Sequence, residues 1–219
     1  MYKYILFDLD GTLTDSAIGI INGCLFAMKK NGFPVPDPAA LYPFIGPPLE
    51  DTFVEQLGVT PQKAWEMVED YRVYYNEKGA FENRVYDGIP DALRALKAGG
   101  RILATATSKP YESAVGILRH FGLLQYFDLV GAATLDGRIA RKRDVITHTL
   151  RQLGNPDKSE VLMIGDRAGD ASGAAENGID FLGALYGYGS RQELLEAGAR
   201  FFAKSPADII PVIGEMEKC

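Results

Sequence analysis

The stretch Asp8-Leu9-Asp10-Gly11-Thr12 follows directly on the apolar run Tyr4-Ile5-Leu6-Phe7. Residues i and i+2 of a strand point to the same side. The two carboxylates would therefore crowd one spot and repel unless a cation or a catalytic task holds them there. Gly11 then permits a tight backbone turn. A charged pair at the C-terminal end of a strand lies where open α/β sheets bind their ligands. A second stretch, Ile164-Gly165-Asp166-Arg167-Ala168-Gly169-Asp170, has the same form: an apolar run, a glycine and two acids four residues apart. Alone it reads equally well as a helix cap. Combined with Asp8 and Asp10 it would gather four carboxylates at one sheet edge, and hard oxygen ligands in that number favour Mg²⁺, which binds few protein carboxylates and keeps waters and substrate phosphate.

Two further stretches sit at expected strand ends. Thr105-Ala106-Thr107-Ser108-Lys109-Pro110 offers hydroxyls and backbone N–H groups at a helix start, which is either a phosphate cradle or an N-cap for the helix after Pro110. Arg138, Arg141, Lys142 and Arg143 cluster in an otherwise acidic chain. Either one of them reaches a phosphoryl group or together they form a solvated basic turn.

The elements that would position these residues alternate. Strands are expected at Tyr4–Phe7, Arg101–Thr105, Leu129–Gly131, Val161–Ile164 and Phe181–Leu185. Helical patterns lie at Ile89–Ala98, Tyr111–Phe121, Lys142–Leu153, Asp170–Asn177 and Arg191–Ala197. This alternation predicts an α/β, Rossmann-like parallel sheet with helices on both faces. Residues 16–83 break the rhythm with helices at Ile18–Asn31, Leu49–Leu57 and Pro61–Lys78, a short helix between them, and the loop Ile45-Gly46-Pro47-Pro48. The simplest account is an all-helical subdomain inserted into a core made of residues 1–15 and 84–219. Trp65, Tyr71, Tyr74, Tyr75 and Phe81 recur at helical spacing and read as that subdomain's own core.

Bulk properties narrow the function classes. A net charge of −6 and a pI of about 5.0 argue against general nucleic-acid binding. No apolar run approaches a membrane span, and the N-terminus runs straight into a strand with no signal-peptide pattern, so the expected location is the cytoplasm, with no membrane partner. The two cysteines, Cys24 and Cys219, have no partner at metal-ligand spacing. They read as a buried thiol and a loose terminal residue. Oligomeric state has no signature in the sequence.

Taken in order, Asp8-Leu9-Asp10-Gly11-Thr12-Leu13-x-Asp15-Ser16, Thr107, Lys142 and Gly165-Asp166-x-x-x-Asp170 resemble the haloacid dehalogenase-like hydrolase superfamily over essentially the whole chain. Within it the chain is similar to the phosphoglycolate phosphatase branch. The stretches Phe44–Leu49, Ala106–Pro110 and Leu185–Ser190 are similar to a subgroup described as 5′-nucleotidase-like. Two departures stand out: Arg167-Ala168-Gly169, where bulkier or polar residues are more usual, and Arg143, where Pro frequently follows the lysine.

The resemblance implies a Mg²⁺-dependent phosphomonoester hydrolase with a small α-helical cap. Asp8 would be the nucleophile and form an aspartyl-phosphate, with Asp10 as acid and then base. Asp8, the Asp10 backbone carbonyl and Asp166 would bind Mg²⁺, and Asp170 would orient the metal shell or Lys142. Thr107, with Ser108 and nearby N–H groups, would bind phosphoryl oxygens, and Lys142 would offset negative charge. The cap loop around Gly46 would contact the substrate, a small phosphate ester such as a 5′-nucleotide or phosphoglycolate. Asp10 argues against a dehalogenase or a phosphonatase, both of which lack that carboxylate. A sugar-phosphate mutase needs the same motifs, but such chains usually carry a histidine soon after Asp15. Here the histidines are His120 and His148, in the core domain. A non-catalytic binding protein on the same fold would be expected to lose Asp8, Asp10 or Asp166.

Overall fold

The computed structural model describes residues 1–218; Cys219, expected as a loose terminal residue, lies outside the described residues. The chain forms two compact units, Met1–Asp15 joined with the chain from Val85 onward, and Ser16–Arg84.

The strands are β1 (Tyr4–Phe7), β2 (Thr14–Asp15), β3 (Arg84–Val85), β4 (Ile102–Pro110), β5 (Leu129–Ala133), β6 (Val161–Gly165), β7 (Asp180–Ala184) and β8 (Phe201–Ala203). Six of them build one sheet in the order β5-β4-β1-β6-β7-β8, and every recorded pairing in it is parallel. Parallel strands are covered on both faces and read as continuous apolar runs, as Ile5-Leu6-Phe7 and Val161 to Ile164 do; all of these are buried. From β1 the chain builds outward through β4 and β5 on one side, and through β6, β7 and β8 on the other. The direction reverses between β1 and β6, so the ends of these two strands form the topological switch point where such sheets bind ligands. Asp8 follows one of these strands and Asp166 the other.

The helices of this unit are α4 (Ile89–Ala98), α5 (Tyr111–His120), α6 (Lys142–Gln152), α7 (Ala168–Asn177), α8 (Arg191–Glu196) and α9 (Ile209–Met216), counted after α1 (Ala17–Lys30), α2 (Leu49–Leu57) and α3 (Pro61–Tyr74) of the other unit. Val145, Ile146 and Leu150 of α6 and Ala174 of α7 pack on Leu6, Ala104, Ala106 and Met163 of the sheet. That packing fixes the start of α6, and Lys142 is its first residue.

Several elements differ from expectation. β4 runs on to Pro110, because its outer end keeps pairing with β5 through a register shift. α7 begins two residues early, at Ala168. β8 and α9 were not expected. β8 is a three-residue edge strand, too short for a periodicity signal. α9 contains Pro211, which reads as a breaker but lies in the first turn, where its missing N–H has no intrahelical partner to lose. No helix among the described residues is long and apolar enough to cross a membrane. Cys24 is fully buried, and burial pushes its thiol pKa up.

The second unit packs α1 against α3 and the π-helical turn Tyr75–Gly79. The contact is backbone on backbone: a Cβ added at Gly19 would lie 1.9 Å from the Gly79 carbonyl oxygen. Tyr71 and Tyr75 are buried and stacked, with centroids 5.1 Å apart. Trp65 and Tyr74 are half-buried. Phe81, expected in this core, is 51% exposed. It lies beyond the π turn, where the chain has left the 3.6-residue phase that placed the other aromatics. Gly19→Ala should lower stability in urea unfolding by about 1–3 kcal/mol, the usual cost of overpacking. Ile18→Ala, at a neighbouring position that is 66% exposed, should change it by less than about 0.5 kcal/mol.

Candidate active site

The Asp8 N–H donates to the Ile164 carbonyl at 2.9 Å, so the first aspartate is still tied to β6 where β1 ends. The chain then coils tightly: the Leu13 and Thr14 N–H groups both donate to the Leu9 carbonyl, at 2.9 and 3.0 Å. Gly11 makes this turn with φ 82°, and a Cβ there would lie 2.2 Å from Asp166 Oδ2. The absence of a side chain is what lets the first loop abut Asp166.

Each carboxylate is held by name. Asp166 Oδ1 accepts from the Thr12 hydroxyl at 2.9 Å, and Oδ2 accepts from the Tyr188 N–H at 2.8 Å. Asp170 Oδ2 accepts from the N–H groups of Asp166 and Arg167, both at 3.0 Å. The Gly-Asp-x-x-x-Asp stretch is thus both a helix cap and a site. Lys142 Nζ lies 2.7 Å from Asp8 Oδ1 and 2.8 Å from Asp170 Oδ1, and donates to the Ala106 carbonyl at 3.0 Å. The contact to Ala106 is a hydrogen bond, and the two to the carboxylates are ion pairs. Asp8, Asp166 and Asp170 each bring a carboxylate oxygen to within 4.8 Å of the others. Asp10 Oδ2 is 3.0 Å from Lys109 Nζ, whereas its Oδ1 is buried without a hydrogen-bond partner.

The charges do not balance. Asp8, Asp10, Asp166 and Asp170 are buried, against the two ammonium groups of Lys109 and Lys142. Fully ionised, they leave two negative charges, which one divalent cation would offset, and buried carboxylates suit a hard cation. The three converging carboxylates therefore fit a metal ion. Protonation tells the same story. Burial above all, opposed by Lys142 and reinforced by Asp170 and Asp10, pushes Asp8 from 3.8 up to about 6. Burial, with Asp170 and Asp8 beside it, holds Asp166 well above the carboxylate range. Burial works against the charge of Lys142, but Asp170 and Asp8 outweigh it and raise its pKa.

Of the residues expected from sequence, Asp8, Asp10, Asp166, Asp170 and Lys142 come together. Lys142 is separated from its neighbours by burial: Arg138, Arg141 and Arg143 are exposed, with Arg138 paired to Asp136 and Arg143 near Glu176. Thr107 is buried on the strand beside β1, and its hydroxyl accepts the Lys109 N–H at 3.2 Å. α5 has no side-chain cap, so the N-cap reading of this stretch is overturned. Ser108 is half-buried next to it. Gly46 belongs to the Ser16–Arg84 unit, where it takes φ 108° in the loop before α2. Sequence reasoning missed Lys109, Thr12 and Tyr188. Lys109 offered a cation by residue type, but it lies on β4 beyond the apolar stretch expected to form that strand. Tyr188 contributes a backbone N–H, which no residue type announces; its hydroxyl also donates to Asp15 Oδ1 at 2.9 Å.

A family model described as haloacid dehalogenase-like hydrolase matches residues 5–184. A 5′-nucleotidase of Pseudomonas aeruginosa is 45% identical over 193 residues, 88% of this chain and 87% of that protein. The tyrosine-protein kinase PtkA of Mycobacterium tuberculosis is 41% identical over 187 residues, 85% of this chain and 63% of the kinase. The crystal structure of a predicted phosphatase from Clostridium acetobutylicum matches with a TM-score of 0.96 at 42% identity, covering 98% of this chain and 99% of that one.

A carboxylate whose folded pKa is raised stabilises the fold below its ordinary pKa, and that stability is lost as pH rises through the folded value. For Asp8 the window runs from 3.8 to about 6, and Asp166 acts in the same direction. In a chelator, the melting temperature should therefore fall as pH rises from about 4 to about 7, and Asp8→Asn should flatten the fall. Added divalent cation, tested as Mg²⁺, should raise the melting temperature more at about pH 7 than at about pH 5, since a cation held there would favour the ionised acids.

Proposed function

We propose that this chain, which belongs to the haloacid dehalogenase-like hydrolase family and is a phosphatase, hydrolyses small phosphate monoesters with Mg²⁺ through an aspartyl-phosphate on Asp8. A 5′-nucleotide or phosphoglycolate is the substrate class we favour. The observation that carries this reading is the excess of buried carboxylates over lysines around Asp8. A site built in this way accepts a phosphate dianion only together with a cation.

Asp8, Asp166 and the Asp10 backbone carbonyl would hold the ion. Mg²⁺ bound there would cancel the repulsion between Asp8 and the phosphate and polarise phosphoryl oxygens. Asp8 attacks phosphorus while the ester P–O bond breaks, a recognised route for carboxylates. Asp10 gives a proton to the departing oxygen, then takes one from the water that cleaves the Asp8–phosphorus bond. Lys142, fixed by Asp170 and the Ala106 carbonyl, spreads positive charge over Asp8 and the phosphoryl group. Asp170 acts through that lysine: one of its oxygens faces Lys142 and the other caps α7. Thr107 and backbone N–H groups beyond β4 would receive phosphoryl oxygens, and Gly46 in the helical unit would contact the rest of the substrate as part of a cap.

The mutase alternative expects a histidine in the helical unit, and residues 16–84 contain none. Asp10, which a departing halide would not need, likewise favours an oxygen leaving group.

Asp8→Asn should abolish phosphate release from p-nitrophenyl phosphate, a loss of about 10³-fold or more, and chelation followed by Mg²⁺ should remove and restore it. A ³²P-labelled adduct in the wild type that persists in Asp8→Asn would sink the nucleophile assignment. A phosphate-release screen over nucleoside monophosphates, phosphoglycolate, sugar phosphates and pyrophosphate tests the substrate class. Transfer of label to protein tyrosine or to a second sugar hydroxyl, without free phosphate, would overturn hydrolysis.

A further inference from the structure

Lys109 is a buried cation that the sheet delivers to Asp10. β4 continues past Thr107, and its pairing with β5 shifts register between Thr107 and Pro110. Such irregularities at strand ends re-aim side chains. The Lys109 backbone N–H is held by the Thr107 hydroxyl. Its Nζ lies 3.0 Å from Asp10 Oδ2, and the two side chains are only 6% and 10% exposed. The other oxygen of the same carboxylate, Oδ1, is buried and accepts no hydrogen bond. A buried polar atom left without a partner is costly, and a native fold that keeps one calls for an explanation.

We propose that Lys109 is a positioning residue for Asp10: by holding Oδ2 it assigns proton transfer to Oδ1. An ammonium group has three donors and no acceptor. The oxygen that faces it is held as an acceptor, which leaves Oδ1 as the oxygen of Asp10 without a protein partner. This inference rests on the phosphatase reading and adds a division of labour to it. In the first half-reaction the bond from Asp8 to phosphorus forms, the ester P–O bond breaks, and the Oδ1 proton passes to the departing oxygen. In the second, water forms its bond to phosphorus, the Asp8–phosphorus bond breaks, and the water proton returns to Oδ1. Lys109 takes no part in either transfer, and Oδ2 remains its partner. Lys142 has a different task, because its three contacts go to Asp8, Asp170 and the Ala106 carbonyl.

The test compares two leaving groups of similar shape in single-turnover experiments with the Mg²⁺-loaded protein. p-Nitrophenolate departs with little need of a proton, whereas phenol needs one. Lys109→Met should slow phenol release from phenyl phosphate by about 10- to 100-fold, a partial loss beside the roughly 10²- to 10⁴-fold that general acid catalysis contributes. It should slow p-nitrophenol release from p-nitrophenyl phosphate by less than about 3-fold, with half-saturating substrate concentrations unchanged. Lys109→Arg, which still donates to Oδ2, should recover most of the phenol rate. Lys109→Gln, a neutral and weaker donor, should show the same bias at smaller size and keeps the test open if the methionine variant melts below assay temperature. Equal losses for both esters, or no loss for either, would overturn the inference. A wild type that releases neither alcohol would instead overturn the phosphatase reading, so the two failures are distinct.

Discussion

Four aspartates are held out of water against two lysines, and the rest of the core exists to make that tolerable. Each buried carboxylate costs several kcal/mol of lost hydration unless charge and hydrogen bonds replace it. The replacements come from every direction: the Thr12 hydroxyl and Tyr188 N–H on Asp166, the Asp166 and Arg167 N–H groups just before α7 on Asp170, and Lys142 across Asp8 and Asp170. They come from four separate stretches of the chain, around residues 8–12, 142, 166–170 and 188. They meet because β1 and β6 are neighbours at the reversal of the strand order and because α6 lies across that part of the sheet.

The arrangement trades stability for readiness. With Lys109 and Lys142 as the only buried lysines beside four buried acids among the described residues, the site by itself holds more negative charge than it cancels. It is therefore pre-organised for cations and strained without them, which is why the acid side chains lean toward protonation. A site that balanced its own charge would be more stable and less useful, because nothing would favour bringing in a divalent ion and a phosphoryl group together.

The acids were legible in the sequence because their chemistry follows from residue type at a strand end: Asp8 and Asp166 end apolar runs, and Asp10 and Asp170 follow two and four residues later. The alternation of elements likewise announced the parallel sheet. Choosing Lys142 over Arg141 or Arg143 was not legible, since it depends on helix phase, and of these three only Lys142 turns inward. Lys109 was hidden for a different reason. Its position depends on β4 outrunning its apolar stretch and shifting register against β5, a tertiary event with no local pattern. Tyr188 acts through its backbone, and Phe81 lies beyond a π turn that breaks the spacing used to place it.

The two lysines are not duplicates. Lys142 is shared among Asp8, Asp170 and the Ala106 carbonyl, so it can lower the charge on Asp8 but has no freedom to follow a moving proton. Lys109 touches one oxygen of Asp10 and leaves the other bare. Had both oxygens of Asp10 been bonded, as those of Asp166 are, the carboxyl would be a ligand or a structural anchor and a poor acid. Had neither been bonded, its orientation would be undefined. A carboxyl held at one end and bare at the other suits repeated proton exchange with a leaving oxygen and then with water. A departing halide would make no use of it, and for this reason Asp10 with its lysine, more than the three converging acids, matches the fold to phosphate esters.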